Sequence, residues 1–332
     1  MQEYRVAFKL VSSYETPFQA DTIFGHICWA IRYLEGESAL LEFLSTYEAN
    51  PPMFVSDGFP LIDETYYIPM PTWPFSVGDI QRLLLRLNID ADNLSLKRDF
   101  VSAFRAVTKK SFVDKAVITE RSSQFDPVSI IEDCFNLRIC PKSMSLRDVN
   151  TCKCQSWVEC PAFETGQQTD IACEAKYPSF TTVPVAHNVI NRWSCASDNL
   201  FVQEEIFPAN RFFILIKTDN DVMPKDRLQK IFDFITLYGY GRDKSTGKGA
   251  FDELTIESNQ TTSVPNADGF INLSSSYVPM AGEMGKGYYN THIKRGKLGG
   301  HYVLQYSPWK RPVLMIKAGS IFEGIQTITM AD

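Results

Sequence analysis

The sequence predicts an α+β protein assembled from two small units, and three observations carry that prediction. The chain has 332 residues, more than one average domain. Each half opens on a strand-like run that passes into an amphipathic helix: Tyr4–Val11 before a helix starting near Asp21, and Phe212–Lys217 before a helix over Asp226–Tyr238. From Val113 to about Pro184 periodicity fades and six cysteines cluster, the pattern of an insertion grafted onto a domain. The expected units are 1–200, with the insertion at about 113–184 inside it, and 201–332.

Taken in order, Tyr4-Arg5-Val6-Ala7-Phe8-Lys9-Leu10-Val11 alternates apolar and polar side chains, the period of a strand. The first helix has Asp21 or Thr22 as N-cap, a buried stripe of Ile23, Ile27, Ile31 and Leu34 helped by Phe24 and Cys28, and Gly36 as its stop. His26 lies at the edge of that stripe, either as a partly buried structural histidine or as one facing a ligand. A second helix spans Ser38–Tyr47. Pro51–Pro60 and Tyr67–Pro71 are punctuated by prolines and read as irregular or edge segments. Ile80–Leu87 and Leu96–Val107 look helical, the latter running into Lys109-Lys110. Order resumes at Val185–Arg192, and Phe212–Lys217 is apolar enough for a buried strand. The helix after it puts Leu228, Ile231, Phe232, Ile235 and Tyr238 on one face.

That helix runs into Gly239-Tyr240-Gly241-Arg242-Asp243-Lys244-Ser245-Thr246-Gly247-Lys248-Gly249-Ala250-Phe251, and Phe251–Ile256 then reads as a strand. Gly239, Gly241, Gly247 and Gly249 permit positive φ and close backbone approach. Backbone N–H groups of such a loop make an anion-binding concavity, to which Arg242, Lys244 and Lys248 add charge. A Walker loop is excluded, because it sits between a strand and a following helix as GxxxxGK[ST]; here Gly241 to Lys248 spells GxxxxxGK with no hydroxyl next. The dinucleotide fingerprint GxGxxG lacks its third glycine. What remains is a loop laid against a polyanion backbone or an ordinary surface hairpin.

Net charge is −6, with 44% apolar and 13% aromatic residues, the composition of a globular protein. The charge is segregated. Lys286, Lys294, Arg295, Lys297, Lys310, Arg311 and Lys317 fall between Met284 and Phe322 with no acid among them. A second cationic stretch covers Lys97–Arg121. Local field matters more than total charge for a polyanion, so a basic groove on an acidic body is compatible with these numbers. No apolar run has the length of a membrane span, and no export signal precedes the first strand, so a cytoplasmic protein without disulfides is expected. The spacings among Cys134, Cys140, Cys152, Cys154, Cys160 and Cys173 include no C-x₂₋₄-C pair. Six thiols in a reduced, loop-rich segment can still fold around zinc, and a structural zinc and unligated thiols both stay open.

Several segments together resemble the fourth subunit of the Csm complex, a type III-A CRISPR effector protein of the Cas-five-like group in the RAMP superfamily. They are Asp21-Thr22-Ile23-Phe24-Gly25, Met53-Phe54-Val55-Ser56-Asp57-Gly58-Phe59-Pro60, Phe104–Lys110 and His187–Arg192. The glycine loop, Arg295-Gly296-Lys297-Leu298-Gly299-Gly300 and Gly319-Ser320-Ile321-Phe322 complete the set. Met70 departs from the family, which commonly has lysine between the two prolines there. The resemblance implies two packed ferredoxin-like domains of RNA-recognition-motif topology, an inserted thumb within 113–184, and no catalysis. It implies a subunit that holds the 5′ repeat-derived tag of the crRNA and contacts the large polymerase/cyclase-like subunit and a backbone RAMP subunit. The thumb would bend the guide at the junction of tag and spacer, and target RNA would lie near it.

For such a role, phosphates fall to Arg242, Lys244 and Lys248, close approach to the four glycines, and hydroxyl contacts to Ser245 and Thr246. Phe18, Gln19, Thr22 and His26 would line the groove where helix one points its positive end. Lys109, Lys110, Arg192, Lys294, Arg295 and Lys297 are the further candidates. Arg192 could instead form an internal salt bridge, and the last three a solvated face. The rival reading is a RAMP endoribonuclease that cleaves guide precursors with His26 as general acid or base, beside Tyr14 and the loop cations.

Overall fold

A computed structural model describes residues 1–48, 50–90, 92–109, 112–120, 125–138, 180–191, 193–208, 211–259, 269–277, 286–300, 302 and 307–323. In chain order, β1 (Gln2–Leu10), α1 (Ala20–Glu35), α2 (Glu37–Ser45), β2 (Met53–Val55), β3 (Phe59–Ile62) and β4 (Thr65–Pro69) come first. Then follow α3 (Val77–Arg86), α4 (Leu94–Lys109), β5 (Phe112–Asp114), α5 (Lys115–Glu120) and α6 (Pro127–Arg138). β6 (Phe180–Ile190), β7 (Ser197–Pro208), β8 (Arg211–Thr218), α7 (Lys225–Tyr238) and β9 (Phe251–Ser258) precede six short strands. These are β10 (Gly269–Ile271), β11 (Ser276–Tyr277), β12 (Gly287–Tyr288), β13 (Thr291–Lys294), β14 (Val313–Ile316) and β15 (Ile321–Glu323).

A seven-stranded antiparallel sheet with the order β5-β4-β3-β8-β1-β9, and β2 also on β8, divides the body into two layers. Successive side chains of a strand point to opposite faces. Val6, Phe8, Phe212 and Ile214 therefore enter one core with Ile23, Ile27 and Ile31 of α1 and Leu228, Ile231 and Ile235 of α7. Ala7 and Phe213 enter a second core with Leu83 of α3, Phe100 and Val107 of α4, and Ile130, Ile131 and Phe135 of α6. Burial on both faces is why β8 reads as an unbroken apolar run.

β1 pairs with β8 at Val6↔Ile214 and with β9 at Val6↔Ile256, so one sheet takes strands from both sides of residue 200. The segment beginning at Val113 also belongs to the body at first, because Val113, Val128, Ile131, Cys134 and Phe135 fill the second core. The prolines near β3 mislead as well: β3 lies between β8 and β4 and is no edge strand.

The start of α1 shows how the parts are joined. Gln19 is its N-cap position and gives no side-chain bond. The cap comes from Asp57, whose carboxylate accepts the Ala20 N–H at 2.8 Å, and the N–H and hydroxyl of Ser275 at 2.8 and 2.7 Å. A buried carboxylate at a helix N-terminus satisfies orphan donors and meets the positive end of the dipole. One side chain thus holds α1, the β2–β3 link and the C-terminal strands together. Those strands form two three-stranded sheets, β10-β15-β12 and β11-β14-β13. Among the described residues no helix is long and apolar enough to cross a membrane.

Candidate nucleic-acid interface

The glycine loop is tied down at each end by backbone. Gly239 ends α7 at φ 74°, its N–H bonded to Ile235 O at 2.8 Å. Tyr240 N–H donates to Gly249 O at 2.9 Å, and Gly249 N–H donates to Ser13 O at 2.8 Å. Gly249 holds φ 64°, and a Cβ there would stand 2.1 Å from Tyr240 O, so the loop closes only around glycine. Tyr240 turns inward: its hydroxyl donates to Pro17 O at 2.8 Å and its ring stacks on Phe18 at 4.4 Å. Phe18, expected to line a groove, is a core residue.

His26 also serves the loop. Its Nε2 accepts the Gly241 N–H at 3.0 Å, which requires that nitrogen to be unprotonated. Burial, and after it the charge of Lys244, brings its pKa down to about 4. Arg242 N–H donates to the Thr16 hydroxyl at 3.0 Å. Two loop N–H groups expected to face an anion are therefore spent on the body. What the loop presents outward is side chain: Arg242, Lys244, Ser245 and Thr246 are exposed, as is Gly247.

Lys248 behaves differently. Its Nζ is buried against Glu15, against Glu205 of β7 at 3.0 Å and within 4.0 Å of Asp243. Glu205 also accepts from the Ser13 hydroxyl and meets His187 Nε2 at 2.8 Å. Those hydrogen bonds, Ser13 first and then Lys248 and His187, hold the Glu205 carboxyl below its usual range. Arg242, 58% exposed, reaches the other Glu15 oxygen at 3.5 Å and Asp243 at 3.4 Å.

The remaining candidates divide. Gln19 and Thr22 stand at the start of α1 beside the C-terminal strands: Gln19 Nε2 lies 3.1 Å from His292 Nε2, and Lys294 Nζ binds both Asp21 and the Thr22 hydroxyl, the latter at 2.7 Å. Lys294 is thus engaged within the molecule, while Arg295 is exposed and Lys297 lies over the Trp309 ring at 4.5 Å. Lys109 ends α4 in the opposite layer, so the structure does not bring it to the loop. Lys110, Arg192, Cys140, Cys152, Cys154, Cys160 and Cys173 lie outside the described residues. Cys134 is buried in the second core, and no His, Cys, Asp and Glu group among the described residues could hold a metal ion. Sequence reasoning missed Ser13, Glu15, Thr16, Gln203 and Glu205. Glu15 and Glu205 are 190 residues apart in the chain, so no local pattern points to them.

Beside the loop stands a long ribbon, β6 paired with β7 from Phe180↔Pro208 to Ile190↔Ser197. Val189, Ile190, Leu200 and Val202 on it are exposed, and Trp193 at its turn is 99% exposed. No protein-family model and no curated protein matches the sequence. Solved structures do. A chain of the Csm3–Csm4 subcomplex in the type III-A CRISPR–Cas interference complex matches with a TM-score of 0.57 and 16% identity, over 98% of this chain and 93% of that one. The likeness shows that this chain shares the fold of that one. A chain of a Csm1–Csm4 cassette in complex with cA4 matches at 0.49 and 15%, over 97% and 87%. One of the type III-B Cmr-beta complex bound to cognate target RNA and AMPPnP matches at 0.43 and 11%, over 96% and 86%. The glycine loop touches both α1 and the base of the ribbon, through Gly241 on His26 and Lys248 on Glu205.

Proposed function

We propose that the chain is a non-catalytic, RNA-binding subunit of a type III CRISPR interference complex. It holds the 5′ repeat-derived tag of the crRNA at the glycine loop and joins a Csm1-like large subunit to a Csm3-like backbone. The observation that carries this reading is the division of labour in the loop: its backbone is clamped to the body, and Arg242 and Lys244 are left facing out beside the start of α1. Cations on a clamped backbone suit a phosphate chain, because the side chains alone lose order on binding. The matching chain comes from a Csm3–Csm4 subcomplex of a type III-A interference complex, which supports the assignment of partners. The exposed ribbon takes the thumb's part, bending the guide beside the target RNA; it begins at the end of the segment where the sequence suggested a thumb.

The two ferredoxin-like domains fit this proposal as the large sheet with α1 and α7 for one, and the paired C-terminal sheets for what is left of the other. The nuclease alternative needs a histidine that trades protons near neutrality. His26 offers a lone pair already taken by Gly241 and a pKa of about 4, and burial drives the Tyr14 hydroxyl far up. Both favour gripping over cutting.

The test uses the complex assembled with its guide. Arg242→Glu combined with Lys244→Glu is expected to lower guide retention by about tenfold or more at physiological salt and to flatten its salt dependence, since two phosphate contacts become repulsions. Retention that matches the unaltered complex across a salt series overturns the reading.

A further inference from the structure

Lys248 occupies the loop position where a phosphate ligand is expected, but its surroundings fit another task. Three carboxylates, Glu15, Glu205 and Asp243, lie within 4.0 Å of its Nζ, and its side chain is 9% exposed. A phosphate reaching it would have to enter against those acids. We propose that Lys248 is a positioning residue: it pins the base of the β6–β7 ribbon to the glycine loop through Glu205, and it shares Glu15 with Arg242, so the set of the ribbon follows what Arg242 holds.

Every group facing the cluster fits this role. From the N-terminal segment come Ser13 and Glu15, from β6 His187, from β7 Gln203 and Glu205, and from the loop Arg242 and Asp243. The Gln203 amide, turned so that its nitrogen faces Glu15 at 3.2 Å, sets its oxygen 2.6 Å from an Arg242 nitrogen. Gln203 and Glu205 both lie on β7, so the loop holds the ribbon through two side chains of one strand. The ribbon's other described attachments are at its base: the Tyr14↔Ile206 backbone pair and the Phe180 ring near Phe112 and Phe212. Among the described residues the ribbon is held at its base, and a lever so held answers to whatever sets the angle there.

Arg242 is the movable member. It is exposed, and its ion pairs at 3.4 and 3.5 Å are longer than the Lys248–Glu205 contact. When Arg242 turns to a phosphate, Gln203 loses its acceptor contact and Glu15 is left to Lys248. Buried charges that lose a partner are costly, so the cluster must rearrange, and two of its members are ribbon residues. This coupling rests on the proposed phosphate role of Arg242, whereas the pin itself does not.

The experiment measures hydrogen exchange of residues 180–208 in the full chain, with and without a single-stranded oligoribonucleotide, alongside its affinity for that oligonucleotide. Lys248→Met is expected to speed exchange of the ribbon amides by about tenfold while RNA affinity falls less than about threefold. Lys248→Arg is expected to restore protection, and Arg242→Glu to lower RNA affinity about tenfold or more and to abolish the response of ribbon exchange to RNA. RNA should alter ribbon exchange in the unaltered protein and leave it unchanged in Lys248→Met. Because Lys248→Met strands buried carboxylates, Lys248→Met with Glu205→Met is measured too, and decides the same comparison if the single variant does not fold. Unchanged ribbon exchange in a folded variant, or a loss of affinity equal to that of Arg242→Glu, overturns the proposal. If no variant changes RNA affinity, the RNA reading fails while ribbon exchange still decides the pin.

Discussion

The glycine loop and the β6–β7 ribbon meet at one ion cluster and are built in opposite ways. The loop is short and its ends are held by backbone bonds to Ser13 and Ile235 and by the Ala250 N–H donating to the Ser12 hydroxyl, with Tyr240 sunk beneath it. The ribbon is two long strands paired almost wholly with each other, and most of its residues face outward. In the loop the sequence is constrained by space, while in the ribbon it is constrained mainly by the cross-strand ladder. A substitution should therefore be felt through stability in the first and through contacts with partners in the second.

The hardest test of that contrast is Gly249→Ala. Its Cβ would fall 2.1 Å from Tyr240 O in a left-handed conformation, so a loss of about 3 kcal/mol in denaturant unfolding is expected. A stability close to the unaltered protein's would mean that the loop is not clamped. His26→Gln comes next and acts through pH. The folded pKa of about 4 lies below the ordinary value of 6.5, so the unfolded chain takes the proton first. Stability from this group is complete above about pH 6.5 and is lost as pH falls toward about 4, to the extent of roughly 3 kcal/mol. The glutamine variant keeps an acceptor for Gly241 and should flatten that part of a stability–pH profile.

Gly247→Ala shares a positive φ with Gly249 but has nothing within 4 Å of its added carbon, so about 1 kcal/mol is expected from backbone strain alone. Smallest is Trp193→Ser at the ribbon turn, where less than about 0.5 kcal/mol should be lost because the side chain is already in water. Cross-linking of the assembled complex should register this variant far more than a melting curve does.

Much of this was legible. The strand before each amphipathic helix, the helix stop at Gly36 and the exclusion of nucleotide loops all rest on local patterns, and the α+β class agrees with the mixed helices and antiparallel sheets observed. α6 was hard to read because it is only three turns long and helical spacing puts Arg138 on the side of Ile131 and Cys134, which weakens its apolar period. The cap of α1 was misplaced to Asp21 or Thr22 because the actual acceptor, Asp57, is supplied from another element. The reassignment of Lys248 has the same origin. Nothing near it in sequence says that Glu15 and Glu205 converge there from far along the chain.

The position of β1 has a consequence for synthesis. Both of its neighbours are distant, with Lys9 opposite Arg211 on one side and Tyr4 opposite Ser258 on the other. A ribosome must translate most of the message before the first strand finds either partner, and until then an apolar edge stays open. Such a nascent chain depends on late-arriving segments for its earliest one, so truncation from the C-terminal side should cost soluble yield well before it reaches the glycine loop.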